Sequence, residues 1–300
     1  MRALDIFGGY GTIATTAFVL GLLLGGFPLF ASEITILSLA AMMTLSLSNV
    51  AIGRDVLRGT ATPTLLAILL NYVLLTGLIL IISSFFTCEL AAGWVLVAAG
   101  PSAVAVVPYT YMLGGDTRLS LVGTTAIYFL SLILAPLITI VFLGQEIDRI
   151  RLVYTIVLMI LIPIAVSQLP PLRRMRASRK TPLINICFGV LVFTMTGANR
   201  SAFTGDPNMV FWVSSACFVC TFLIGVIILL VSRARKQPPE RGVALVLFSS
   251  YKNTGLAAAV AMALIGPAAA IPATIFVPFE IFWLVTLKRL VRLLGRKGEP

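Results

Sequence analysis

The chain has 300 residues, of which 59% are hydrophobic and only 11% charged, with a mean hydropathy of +1.05. A soluble domain carries about a quarter charged residues, so this composition excludes a soluble enzyme domain, a disordered chain and a nucleic-acid-binding module, and indicates a polytopic helical membrane protein. The net charge is +11 and histidine is absent, which removes Ser-His-Asp and Cys-His nucleophile systems, imidazole zinc sites and histidine proton relays.

Ten apolar runs follow in chain order: 8–29, 34–52, 64–86, 91–113, 119–143, 152–169, 183–198, 209–231, 243–265 and 268–287. Each is of the length that crosses about 30 Å of hydrocarbon at about 1.5 Å per residue. The first run is too long for a signal-peptide core, and Leu29-Phe30-Ala31 is a poor cleavage site. Cys217 and Cys220 have metal-ligand spacing but fall inside the eighth run, where they read as small hydrophobes. No metal site, cofactor motif or disulfide framework is implied.

With ten crossings, alternate loops fall on alternate sides. One side then holds Arg2, Arg54, Arg58, Arg118 and the basic residues of 173–180, 233–241 and 288–297, which is 18 of the 22. The other holds Arg149, Arg151 and Arg200, and Lys252 lies inside the ninth run. Such a skew places the basic side in the cytoplasm. Both termini are therefore expected inside, in a bacterial inner membrane or a plasma membrane. The net charge then answers to anionic lipid headgroups, not to nucleic acid.

Ten runs divide into two halves, about 1–145 and 146–300, and five crossings per half force opposite orientations. The fourth and ninth runs hold equivalent places, and both are interrupted. The fourth contains Gly100-Pro101-Ser102 and then Pro108-Tyr109-Thr110-Tyr111. The ninth contains Ser249, Ser250, Tyr251, Lys252, Asn253 and Thr254, followed by Gly255. Unwound backbone is tolerated at membrane depth only where protein or a water-filled cavity satisfies it. Paired breaks in equivalent segments are the sequence pointer to a transport site. The expected breaks are Gly100, Pro101, Pro108 and Gly255.

These residues carry a resemblance. Gly100-Pro101, Tyr109-Thr110-Tyr111-Met112-Leu113, the Gly114–Ser120 stretch and Thr124-Thr125 resemble the fourth and fifth spans of the bile acid:sodium symporter family. Lys252-Asn253-Thr254-Gly255-Leu256-Ala257 is similar to that family's Gln-Asn-Ser-Ala-Leu signature in the ninth span. The resemblance implies an all-α membrane protein of ten transmembrane helices in two inverted five-helix repeats, forming one unit over 1–300. Helices 1, 2, 6 and 7 would form a panel and helices 3–5 and 8–10 a core, with helices 4 and 9 crossed at their breaks. It implies alternating access and a small organic anion or amphipathic carboxylate as cargo.

The chain departs from the family where sodium binds. By the resemblance, the Ser-Asn pair falls at Val106 and Val107, the carboxylate at Phe248 and the Gln at Lys252. Valine and phenylalanine offer no oxygen, and an ammonium repels the ion, so sodium coupling is not expected and proton coupling stays open. Candidate binding residues are Lys252, Asn253, Thr254, Ser249, Ser250, Tyr109, Thr110, Thr124, Thr125, Glu280 and Asn71. Lys252 and Glu280 both fall near mid-membrane, where each costs about 2.5–3.5 kcal/mol on insertion scales. Their mutual pairing or neutralisation is therefore expected, either as a structural ion pair or as part of the mechanism. Alternatively, the Lys252 ammonium takes the place of the relatives' sodium. Ser46, Ser48 and Asn49 read as helix-packing residues.

A secondary transporter is the leading reading. No Walker-type phosphate loop is present, and Ser250 and Lys252 are too close in sequence to count as a dyad, so neither ATP drive nor an enzyme is expected. The alternatives are an efflux carrier of the arsenite-exporter or auxin-efflux type and a non-transporting membrane receptor.

Overall fold

The computed structural model describes residues 4–48, 61–144 and 149–295. Arg2, Asn49, Arg54, Arg58, Arg296 and Lys297, and with them part of the charge count and the end of the second run, lie outside the described residues. Every regular element among those described is a helix.

Those that build the bundle are, in chain order, α1 Leu4–Leu24, α2 Ala31–Leu47, α3 Ala61–Ser83, α4 Cys88–Ala99, α5 Val106–Met112 and α6 Thr117–Leu143. There follow α7 Arg149–Ser167, α8 Ala177–Ala198, α9 Pro207–Ala234, α10 Pro239–Ser250, α11 Thr254–Leu264 and α12 Ile271–Gly295. Six helical stretches are long and apolar enough to cross a membrane: α3, α6, α8, α9, Pro239–Leu264 and Pro267–Leu293. Parts of α1, α2, α4 and α7 form shorter apolar helices.

Several helices start earlier than the apolar runs because polar residues cap them. The Asp116 carboxylate accepts from the Leu119 N–H (2.9 Å) and opens α6, and Asp206 does the same for Met209 (2.9 Å) and α9. Proline stands at the first position of α9 and α10, where its missing N–H costs nothing.

Large apolar side chains, among them Leu37, Phe85, Ile133 and Ile150, stand exposed around the bundle. In water such a surface would drive aggregation, whereas acyl chains are its natural solvent. Inside, helices close on small residues. A side chain at Gly197 of α8 would strike the backbone of Gly26, one at Gly93 of α4 the carbonyl of Ala269, and one at Gly225 of α9 the ring of Trp283. α8 packs against α1 and α2, and α2 also packs against α7. α4 packs against α3, α6, α11 and α12, while α10 packs against α9 and α5.

Two segments are broken. Pro101 disfavours helical geometry in the residue before it, and Gly100 is extended (φ −59°, ψ 151°), so α4 ends at Ala99. Non-helical chain then runs to Ala105. The second break is shorter, with Tyr251 extended (φ −124°, ψ 125°) and α11 restarting at Thr254. Pro108 and Gly255 do not break their helices as expected. Each sits in the first turn of the following helix, α5 or α11, where there is no i−4 carbonyl for a proline to offend. The role of Gly255 is close approach to Leu39 and Leu191.

Candidate functional site

The two breaks touch. The Asn253 N–H donates to the Pro101 carbonyl (2.8 Å), joining the second break to the first. Unwinding frees carbonyls at the ends of α4 and α10 in a place without bulk water. At α4, the Thr76 hydroxyl bonds Ala98 O (2.8 Å) and the Lys252 ammonium donates to Gly100 O (2.9 Å). At α10, the Asn71 amide donates to Phe248 O (3.0 Å) and Tyr251 O (3.3 Å). Asn71 lies within, and Thr76 directly after, a wide π-helical turn of α3, Leu69–Leu75, and both side chains reach the breaks.

Lys252 is fully buried. Besides Gly100 O, its ammonium donates to Thr76 Oγ1 (2.8 Å) and Asn71 Oδ1 (3.2 Å), and it lies 4.8 Å from the centre of the Tyr72 ring. A lysine has three N–H donors, and all three are used. The expected pairing with Glu280 is therefore not formed: the oxygens of α3 and α4 surround the ammonium instead. Glu280, on α12, accepts from Thr254 Oγ1 at the start of α11 (3.4 Å) and faces the Lys252 main-chain N–H, while its Oε1 is buried with no hydrogen bond within 3.5 Å. The Tyr251 hydroxyl holds the Glu280 main-chain carbonyl (2.7 Å).

Asn253 organises the second break. Its side-chain oxygen caps α11 through the Leu256 N–H (2.9 Å), and its amide donates to the Tyr128 hydroxyl (2.8 Å). Tyr109 lies edge-on to Tyr251, with ring centres 5.6 Å apart.

A cavity of about 520 Å³ opens beside the breaks. Tyr251, Lys252, Asn253, Thr254, Gly255, Glu280, Tyr109, Pro108, Val107 and Thr124 line it. The Thr124 hydroxyl is buried and without a partner. The cavity extends past Leu47, Met112, Thr117 and Thr181 toward the bundle end that carries Arg118 and the basic 173–180 segment. The other expected residues do not line it. Ser249 and Ser250 are still helical, with hydroxyls bonded to Val246 O (2.8 and 2.7 Å). Thr110 bonds Val106 O (2.7 Å) and Thr125 bonds Leu121 O (2.8 Å). Asn71 stands behind the break as described, and Phe248 is buried against Gly123.

Sequence reasoning missed the α8 wall, Thr181, Asn185 and Phe188. Their spacing of four and three residues puts them on one helix face, a signal present in the sequence. Ser46, expected to serve packing, lines the cavity, whereas Ser48 bonds Leu45 O (2.7 Å). Thr76 was also missed.

A family model, that of the SBF-like CPA transporter family, matches residues 28–293, from just before α2 to near the end of α12. The chain belongs to the SBF-like CPA transporter family. The bile acid:sodium symporter-like character expected from the breaks is thus shown over most of the chain. In this SBF-like protein the apolar helices and the family together indicate a multi-pass membrane transporter. None of the curated proteins compared with it matches.

Proposed function

We propose that this SBF-like protein is a secondary transporter that works by alternating access around the meeting point of its two interrupted segments. The contact between the breaks, beside a cavity of about 520 Å³, carries this reading. Small-molecule sites typically measure about 300–1,000 Å³. A small amphipathic organic molecule is the cargo, and a carboxylate of the kind the family resemblance implies would fit by size.

Other observations support ten crossings in two inverted halves. The third and eighth segments both carry a π-helical turn, Leu69–Leu75 and Val219–Leu223, and the fourth and ninth both carry a break. The packing of α8 on α1 and α2, and of α2 on α7, matches a panel of the first, second, sixth and seventh segments. The remaining helices would form the core. Alternation would be a movement of one group against the other, with the cavity mouth at Thr117 and Thr181 open toward the cytoplasmic, basic end.

The Lys252 ammonium takes the place of a coupling cation. It is a tethered positive charge with oxygen neighbours at 2.8, 2.9 and 3.2 Å, beside valines that offer no ligand. Transport is then independent of sodium, and either proton-driven or uncoupled.

Spin labels at Thr117→Cys and Thr181→Cys, on α6 and α8, test alternation without knowledge of the cargo. In liposomes the inter-label distances are expected to fall into two populations. A single narrow distance under all conditions would overturn the transporter reading and favour a non-transporting receptor.

A further inference from the structure

Lys252 and Glu280 are the charged side chains among the described residues lining the cavity. The anion expected from the sequence would draw on a cationic donor there, but Lys252 has none to give, since its three N–H bonds end on Asn71, Thr76 and Gly100. The start of α11 would also attract negative charge, yet Glu280 already stands there, hydrogen-bonded to Thr254. An arriving carboxylate would meet that carboxyl first. Each charge the unwound ends favour is thus supplied by the protein itself, a cation at the end of α4 and a carboxyl at the start of α11.

What remains unsatisfied is a carboxyl oxygen, which accepts, and a hydroxyl, which accepts as well as donates. One carboxyl oxygen of Glu280 and the hydroxyl of Thr124, both buried on side chains of the cavity wall, have no partner. A buried acceptor left without a donor is costly, and a ligand that brings N–H groups relieves that cost. The rest of the wall suits an amphipathic cation: Met42, Leu47 and Leu284 are apolar, and Tyr109 and Phe188 are aromatic, the side-chain class that attracts a positive charge. Among the described residues no cluster of three or more Cys, Asp or Glu side chains is placed to hold a bare metal ion.

We propose that the cargo is an organic cation, an amphipathic amine or amidine whose N–H donors are received by Glu280 and Thr124. This rests on the transporter reading of the same cavity and replaces the organic anion as its substrate class. Glu280 supplies the charge, Thr124 a second polar contact, and the apolar walls bind the hydrocarbon part.

Three probes of one shape test it on the full-length protein in lipid nanodiscs: benzylamine, benzyl alcohol and benzoate, titrated by calorimetry. Benzylamine is expected to bind saturably and at least tenfold more tightly than benzoate. Glu280→Gln should weaken benzylamine tenfold or more and leave benzyl alcohol unchanged, Glu280→Asp should recover part of the loss, and Thr124→Val should weaken the amine by a smaller factor. Benzoate binding as tightly as benzylamine, an unaltered amine affinity in a folded Glu280→Gln protein, or no amine binding would each overturn the proposal. The spin-label distances on the same preparation read alternation with no cargo present, so a wrong substrate class and a failed transporter reading give different results.

Discussion

At the scale of single residues, the site is an exercise in satisfying backbone. Two helix ends at membrane depth leave carbonyls that water cannot reach, and Asn71, Thr76 and Lys252 receive them. Lys252 and Asn253 stand out in the sequence because a polar run interrupts an apolar segment. The partners of Lys252 do not, for they lie 152, 176 and 181 residues away along the chain, and no local pattern ties them together. The Lys252–Glu280 pairing failed for the same reason: the depth of both charges is readable from position in a run, but not which oxygens surround the ammonium. The tethered-cation role makes a measurable prediction. Lys252→Ala leaves three buried acceptors empty, each costing about 1–3 kcal/mol, so the thermal midpoint should fall in sodium-free buffer. Added sodium should restore part of the loss in the variant and leave the wild type unchanged. An equal response of both proteins to sodium would remove the substitution of ammonium for ion.

At the scale of helices, small residues decide which elements meet. Without a hydrophobic drive between helices in lipid, association depends on close packing, and Gly197 brings α8 against the backbone of Gly26 between α1 and α2. Gly197→Leu is expected to destabilise by about 1–3 kcal/mol, because a backbone cannot yield as a flexible side chain does. Gly77→Leu, where an added carbon meets nothing within 4 Å, is the matched control and should leave thermal stability unchanged. Similar losses in both variants would mean that the contact does not hold α8 in place. The breaks belong to this scale as well. The effect of Pro101 on Gly100 is chain-local and was legible, while Pro108 carried the same residue type without the same effect because it falls in a helix's first turn.

At the scale of the whole molecule, the exposed apolar girdle fits a bilayer, and the charge skew of the sequence is the basis of the proposed orientation. In the proposed orientation Cys88, exposed at the start of α4, lies on the outer side, whereas Cys217 and Cys220 are buried and Cys187 is half-buried. A membrane-impermeant maleimide applied to intact cells should label the wild type and not Cys88→Ser, and a cysteine at Ser178 in the Cys88→Ser background should label only after permeabilisation. The reverse pattern would invert the protein and place the cavity mouth outside.

The amino-acid sequence alone determined the membrane class, the succession of apolar segments, the places where two of them unwind and the family. All of these rest on composition, periodicity and local backbone sterics, which act within a few residues. Only the tertiary structure decided that the unwound segments touch, that α8 closes one wall of the cavity, and that the buried ammonium is spent while the buried carboxyl is not. Those outcomes depend on hydrogen bonds between groups distant along the chain, and the proposed organic cation is argued from them.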